Sequence, residues 1–155
     1  MNRCLLILPL LFVLMLFGCS ADETLIGEKP PELMIQIGTD TYETILGTYC
    51  WSGEGKGVCV DTAGPIELLQ GKEPIKVEAG EEMSFMMNYE SKPTELNVMQ
   101  IHDQEEYAVK LTNDTITAPL EKGIYYYAYS AWWMSEKEAN VSLGDACYAF
   151  AIEVQ

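Results

Sequence analysis

Tyr148-Ala149-Phe150-Ala151-Ile152-Glu153-Val154 decides the fold. Side chains on a strand alternate between faces, so Tyr148, Phe150, Ile152 and Val154 form one large apolar face. Ala149, Ala151 and Glu153 form the other, which is small or charged. A strand of this kind buries one side against a core and turns the other outward. The same alternation recurs upstream. Leu33, Ile35 and Ile37 alternate with Met34 and Gln36; Met83, Phe85 and Met87 with Ser84 and Met86; Leu96 and Val98 with Asn97 and Met99; Tyr107 and Val109 with Ala108 and Lys110. Further strands are expected over Thr44–Trp51, Val58–Val60 and the aromatic run Ile124–Trp133. Turn residues separate these runs at intervals typical of antiparallel sandwiches and barrels. Nothing sustains a helical period, and Ser135–Asn140 has room for one helical turn within a loop and no more. The expected fold is an all-β antiparallel sandwich over residues 32–155.

Within Ile124–Trp133, Tyr125, Tyr127, Tyr129 and Trp133 share one face, and Ile124, Tyr126 and Trp132 share the other. A sandwich buries only one of them. The second set is therefore a candidate recognition surface, because Tyr and Trp combine an apolar ring with a polar handle. The competing reading is a core face plus cross-strand aromatic pairs.

The N-terminus fixes place rather than chemistry. Arg3 supplies a positive start, Leu5–Phe17 is almost unbroken hydrocarbon, and Gly18-Cys19 precedes polar Ser20-Ala21-Asp22-Glu23. This is a secretory signal, too short for a spanning helix, which needs roughly 20 residues. Leu16-Phe17-Gly18-Cys19 resembles the lipobox of bacterial lipoproteins. The resemblance implies removal of residues 1–18, lipid attachment at Cys19 and a location on the outer face of the bacterial cytoplasmic membrane. Residues 19–31, ending in Pro30-Pro31, are then expected to be a lipid-anchored tether.

Removing Arg3 with the signal takes the formal charge from −15 to −16 and leaves no arginine. That excludes nucleic acid, where Lys and Arg contacts to phosphate supply affinity. It also excludes an anionic bilayer surface as an electrostatic target.

Cys50, Cys59 and Cys147 remain in an oxidising setting. Cys50 and Cys59 flank the glycine-rich stretch Trp51–Val58, and a hairpin stapled by Cys50–Cys59 is expected. Cys50–Cys147 with Cys59 free is the competing pairing, and three reduced thiols the other. The same stretch is a candidate recognition loop, with Trp51 and Lys56 presented on it. Gly53, Gly55 and Gly57 around Lys56 do not make a phosphate loop, since the Gly-Lys-Ser/Thr ending is missing.

His102 beside Asp103, Glu105 and Glu106 reads as a solvated acidic turn, and no EF-hand spacing is present. No nucleophile elbow and no triad can be assembled from the single histidine. The expectation is therefore a chain that is not an enzyme, with no cofactor and no metal site.

Leu120-Glu121-Lys122-Gly123-Ile124-Tyr125 resembles the start of strand F in immunoglobulin-like sandwiches. The resemblance implies that Tyr125 forms the tyrosine corner, its hydroxyl bonding backbone upstream. Gly47-Thr48-Tyr49-Cys50-Trp51-Ser52-Gly53, Cys59-Val60-Asp61 and Gly144-Asp145-Ala146 make the chain similar to small uncharacterised lipoproteins of Gram-positive bacilli. That likeness implies surface anchoring and a compact β domain, and no activity. The expected function is a lipid-anchored binding or interaction domain of the cell envelope, contacting an envelope protein or wall component through Trp51, Lys56, Tyr126 and Trp132. The alternative is a small-ligand or cation-binding lipoprotein serving a transporter.

Overall fold

A computed structural model describes residues 23–155. The signal 1–18, the lipid site Cys19 and the first residues of the expected tether lie outside the described residues. Two antiparallel sheets pack face to face. Eleven strands are described: β1 (Leu33–Ile37), β2 (Asp40–Glu43), β3 (Ile45–Gly53), β4 (Lys56–Val60), β5 (Ile75–Val77), β6 (Glu82–Met87), β7 (Glu95–His102), β8 (Glu105–Val109), β9 (Thr115–Thr117), β10 (Gly123–Met134) and β11 (Ser142–Val154). One short helix, α1 (Pro65–Leu68), follows β4 and starts with proline at its first position, where the missing N–H costs nothing. The small sheet runs β2-β1-β6-β9 and the large one β4-β3-β11-β10-β7-β8. β5 joins the large sheet by pairing parallel with the end of β11.

The order β1-β6-β9 over β11-β10-β7-β8 follows the A-B-E and G-F-C-C′ arrangement of immunoglobulin-like sandwiches. β2, β3, β4 and α1 are inserted between the first strand and β5. The expected all-β sandwich is what the chain forms. Tyr125 also fulfils the corner geometry: its hydroxyl donates to the Glu121 carbonyl at 2.9 Å.

The inner faces interdigitate as the alternation requires. Ile35 and Met83 from the small sheet and Tyr127 and Ile152 from the large one are completely buried. Tyr127 lies directly opposite Phe150, and their rings stack at 4.7 Å. Buried polar ends find partners: the Tyr127 hydroxyl donates to Gln100 Oε1 at 2.9 Å, the Tyr148 hydroxyl to the Pro31 carbonyl at 2.6 Å and Trp133 Nε1 to the Ser91 carbonyl at 2.7 Å. Among the described residues no buried side-chain nitrogen or oxygen lacks a partner.

Burial of these phenols has a measurable consequence. It pushes Tyr129 up to about 12 and holds Tyr127 and Tyr148 well above the ordinary phenol value. A raised pKa in the folded state means stability that is complete below the unfolded value of 10.0 and is lost as pH rises through the folded one. Phenolate absorbance should therefore show these three tyrosines ionising late, above pH 10 and together with loss of the fold. Ionisation of every tyrosine in one step near pH 10, with the fold intact, would contradict their burial.

Two local features differ from the sequence expectation. Ser135–Asn140 is a tight turn rather than a helical one; the Ser135 hydroxyl accepts from the Lys137 and Glu138 amides. The part of the expected tether that is described is not free chain. Leu25 is buried, bridges to Gly53 and donates from its amide to the Ser52 carbonyl at 3.1 Å. Glu23 accepts from the Ser135 hydroxyl at 2.6 Å and the Glu136 amide at 3.1 Å, which lowers its pKa. Residues 23–31 are thus a docked segment of the domain.

Candidate functional site

β3 and β4 form a hairpin closed by Glu54-Gly55, both left-handed (φ 51° and 74°), which matches the strand twist. Cys50 and Cys59 are directly opposite, 4.1 Å apart at Cα, and form the disulfide. Cys147 is free and half-buried, and burial raises its pKa. Reduction of the disulfide should cost about 3 kcal/mol in the chain-entropy model. The unfolding midpoint should drop by roughly 10 °C for a domain of this size. An unchanged midpoint after complete reduction would show that the hairpin is held by its strand pairing alone.

Trp51 is not presented to solvent; this corrects the expectation. It is 1% exposed, because its position on β3 points it at the core. Its ring meets Trp133 edge-on at 4.8 Å and Tyr89 at 5.8 Å, and its Nε1 donates to the Gly27 carbonyl at 3.1 Å. Gly53 and Gly144 make the space: a Cβ on Gly53 would lie 1.9 Å from the Gly27 carbonyl oxygen, and one on Gly144 would lie 2.7 Å from Cε3 of Trp51.

The other candidates do not gather around Trp51. Lys56 is exposed near the hairpin tip. Tyr126 and Trp132 lie on the outward face of β10, six residues apart, so about 20 Å along the strand. Tyr126 is half-buried and packs with Leu68 and Leu69, beneath α1, and with Ala149 and Ala151. Trp132 is half-buried and lies in register between Asp145 and Glu95. The four residues therefore do not form one surface: Trp51 belongs to the core, Tyr126 to a small second cluster and a separate recess beside His102, and Lys56 borders a larger recess.

That recess is a groove of about 950 Å³ between the β3–β4 hairpin and the docked N-terminal segment. Val58 and Tyr49 line one side, and Pro30 and Pro31 the other. Tyr89 also lines the groove; its hydroxyl donates to the Ile26 carbonyl at 2.9 Å and accepts from the Ile26 amide at 2.7 Å. Desolvation raises its pKa. Three carboxylates (Glu28, Glu32, Glu54) and two ammonium groups (Lys29, Lys56) border the apolar floor. The arrangement offers an apolar trough with charged lips, suited to holding a ligand.

His102 ends β7 and stacks on Tyr125 at 4.2 Å, with Nδ1 3.0 Å from the Ile124 carbonyl. A carbonyl only accepts, so Nδ1 carries the proton. Among the described residues no three His, Cys, Asp or Glu side chains converge on a metal position. Also among the described residues, no helix is long and apolar enough to cross a membrane.

Sequence reasoning missed Tyr49, Tyr89, Val58 and the Pro30-Pro31 wall. The available signal was the Pro-Pro pair, a stiff extended element. Comparison with protein families, curated proteins and solved structures finds no match.

Proposed function

We propose that this chain is a lipid-anchored, non-catalytic binding domain, held by Cys19 on the outer face of the bacterial cytoplasmic membrane, and that it engages another envelope protein through the groove beneath the β3–β4 hairpin. The observation that carries this reading is the groove itself: about 950 Å³ of recess with an apolar floor, framed by a disulfide-fixed hairpin and a docked segment. Recesses of this size with a few polar groups at the rim are what binding sites look like.

Anchoring and groove fit together. Four peptide steps separate Cys19 from Glu23, so a lipid on Cys19 lies within about 14 Å of the docked segment. The groove wall begins four residues further on, at Gly27. An acidic domain gains nothing electrostatically from an anionic bilayer, so acyl chains alone hold it there.

The test is a photo-crosslinking residue at Lys56 in intact cells. A discrete protein adduct that is absent with the same group at Tyr107 is expected. Loss of the protein from the membrane fraction with Cys19→Ser is expected too. Adducts only to wall polymer would move the partner class, and no adduct at position 56 would remove the groove from the reading.

A further inference from the structure

We infer that the occupant of the groove is an extended, basic-ended peptide segment of another protein, which adds to the free edge of β4 as an antiparallel strand. This rests on the groove reading above and specifies its partner.

β4 is an edge strand, and all five of its residues are exposed. The other long edges are blunted by charge, as edges of soluble proteins generally are. β8 carries Glu105 and Glu106, and β2 carries Asp40 and Glu43. β5 and β9 have three residues each. β4 reads Lys-Gly-Val-Cys-Val, with Val58 41% and Val60 36% exposed.

The register says which groups are free. In a two-residue hairpin the pair flanking the turn, Gly53 and Lys56, exchanges hydrogen bonds, and bonded and non-bonded pairs then alternate. Trp51–Val58 and Tyr49–Val60 are bonded pairs. Cys50–Cys59 and Ser52–Gly57 are not, in keeping with the 4.1 Å Cα separation of the cysteines. The amides and carbonyls of Gly57 and Cys59 therefore point to the open edge. Neither residue makes a backbone bond to any other described element.

The side chains complete the site. Val58 and Val60 share a face with their partners Trp51 and Tyr49, on the groove side. A strand pairing with Gly57 and Cys59 would send its alternate side chains into the groove beside Val58. Main-chain bonds supply affinity and alternate pockets supply specificity, the pattern of strand addition. Charge selects the occupant. Glu54 and Asp61 flank β4 at its two ends, and the lips of the groove carry more carboxylates than ammonium groups. A second copy would bring together two chains of −15 formal charge, so a partner strand with basic ends fits and a copy of this chain does not.

The probe is an end-blocked heptapeptide, lysine-valine-threonine-valine-threonine-valine-lysine, titrated calorimetrically into the full chain in neutral detergent micelles. Saturable one-to-one binding is expected. N-methylation of both threonines, whose amides would face β4, should weaken it at least about tenfold, and N-methylation of the central valine should not. Glutamates in place of the lysines, Val58→Lys and Gly57→Pro should each weaken it similarly; Val58→Lys alters only an exposed side chain and leaves the fold. No binding, equal binding of both methylated peptides, or equal binding of the acidic peptide overturns the inference. So does a dimer by sedimentation that Val58→Lys dissociates. The two readings fail separately: a crosslink at Lys56 that the heptapeptide does not compete away removes strand addition but leaves the groove as the site.

Discussion

Trp51→Ala lowers the unfolding free energy by about 4 kcal/mol, the middle of the range for an aromatic truncated in a core. The ring is 1% exposed and touches Trp133 and Tyr89 edge-on. What sets the size is the inability of the surroundings to close over the gap. The walls beside the ring are backbone at Gly53 and Gly144, where even a Cβ would stand 3.0 Å and 2.7 Å from indole atoms. Strand backbone tied into a sheet on both sides does not move inward, so the cavity stays open. The indole Nε1 bond to Gly27 is lost as well, and the carbonyl it leaves can be rehydrated only by loosening the docked segment. For a domain of this size the midpoint should drop by roughly 15 °C. Trp132→Ala is the control, because that ring is half-buried on the outward face and its loss should cost less than half as much. Equal costs for the two substitutions would mean that Trp51 is not the interior residue described above.

The sheets were legible in the sequence where strands are long and strongly alternating. The parity of Tyr125, Tyr127, Tyr129 and Trp133 sends those rings inward, and the large-small pattern of Tyr148–Val154 does the same for β11. The Cys50–Cys59 staple followed from two cysteines around a turn-prone stretch. β2 and β9 were not legible. They have four and three residues, too few for a period to show, and exist because β1 and β6 offer edges.

Trp51 was misplaced because the glycine-rich stretch around it looked like a loop. The turn needs only Glu54-Gly55, and β3 continues through Gly53. The groove was illegible for a different reason. Its walls come from three stretches far apart in sequence, and the polar composition of residues 23–31 suits a tether as well as a docked segment. What distinguishes the two is the missing side chain at positions 53 and 144, a requirement set by tertiary packing.

Gly53→Val tests that requirement and the groove together. Gly53 does not have a left-handed φ, so a β-branched residue suits the strand itself. The damage falls on what faces it: a Cβ there would sit 1.9 Å from the Gly27 carbonyl oxygen, and that atom is backbone with no rotamer to escape through. Residues 23–31 must therefore leave. With them go the burial of Leu25, its bond to Ser52, the Ile26–Tyr89 pair and the Trp51 Nε1 bond. Each lost hydrogen bond costs about 1 kcal/mol net, while the backbone entropy regained by the released segment opposes that loss, so global stability should fall by less than for Trp51→Ala. The local effect is much larger. Protection of the Leu25 amide against hydrogen exchange should drop by about two orders of magnitude or more, since a docked amide becomes an open one. Protease should then cut within residues 23–31 while the sheets stay intact. The groove loses its Pro30-Pro31 wall in the same event, so ligand binding at Lys56 and Val58 should weaken with it. Leu25 protection that survives the substitution would show that the segment is held by something other than its fit against Gly53.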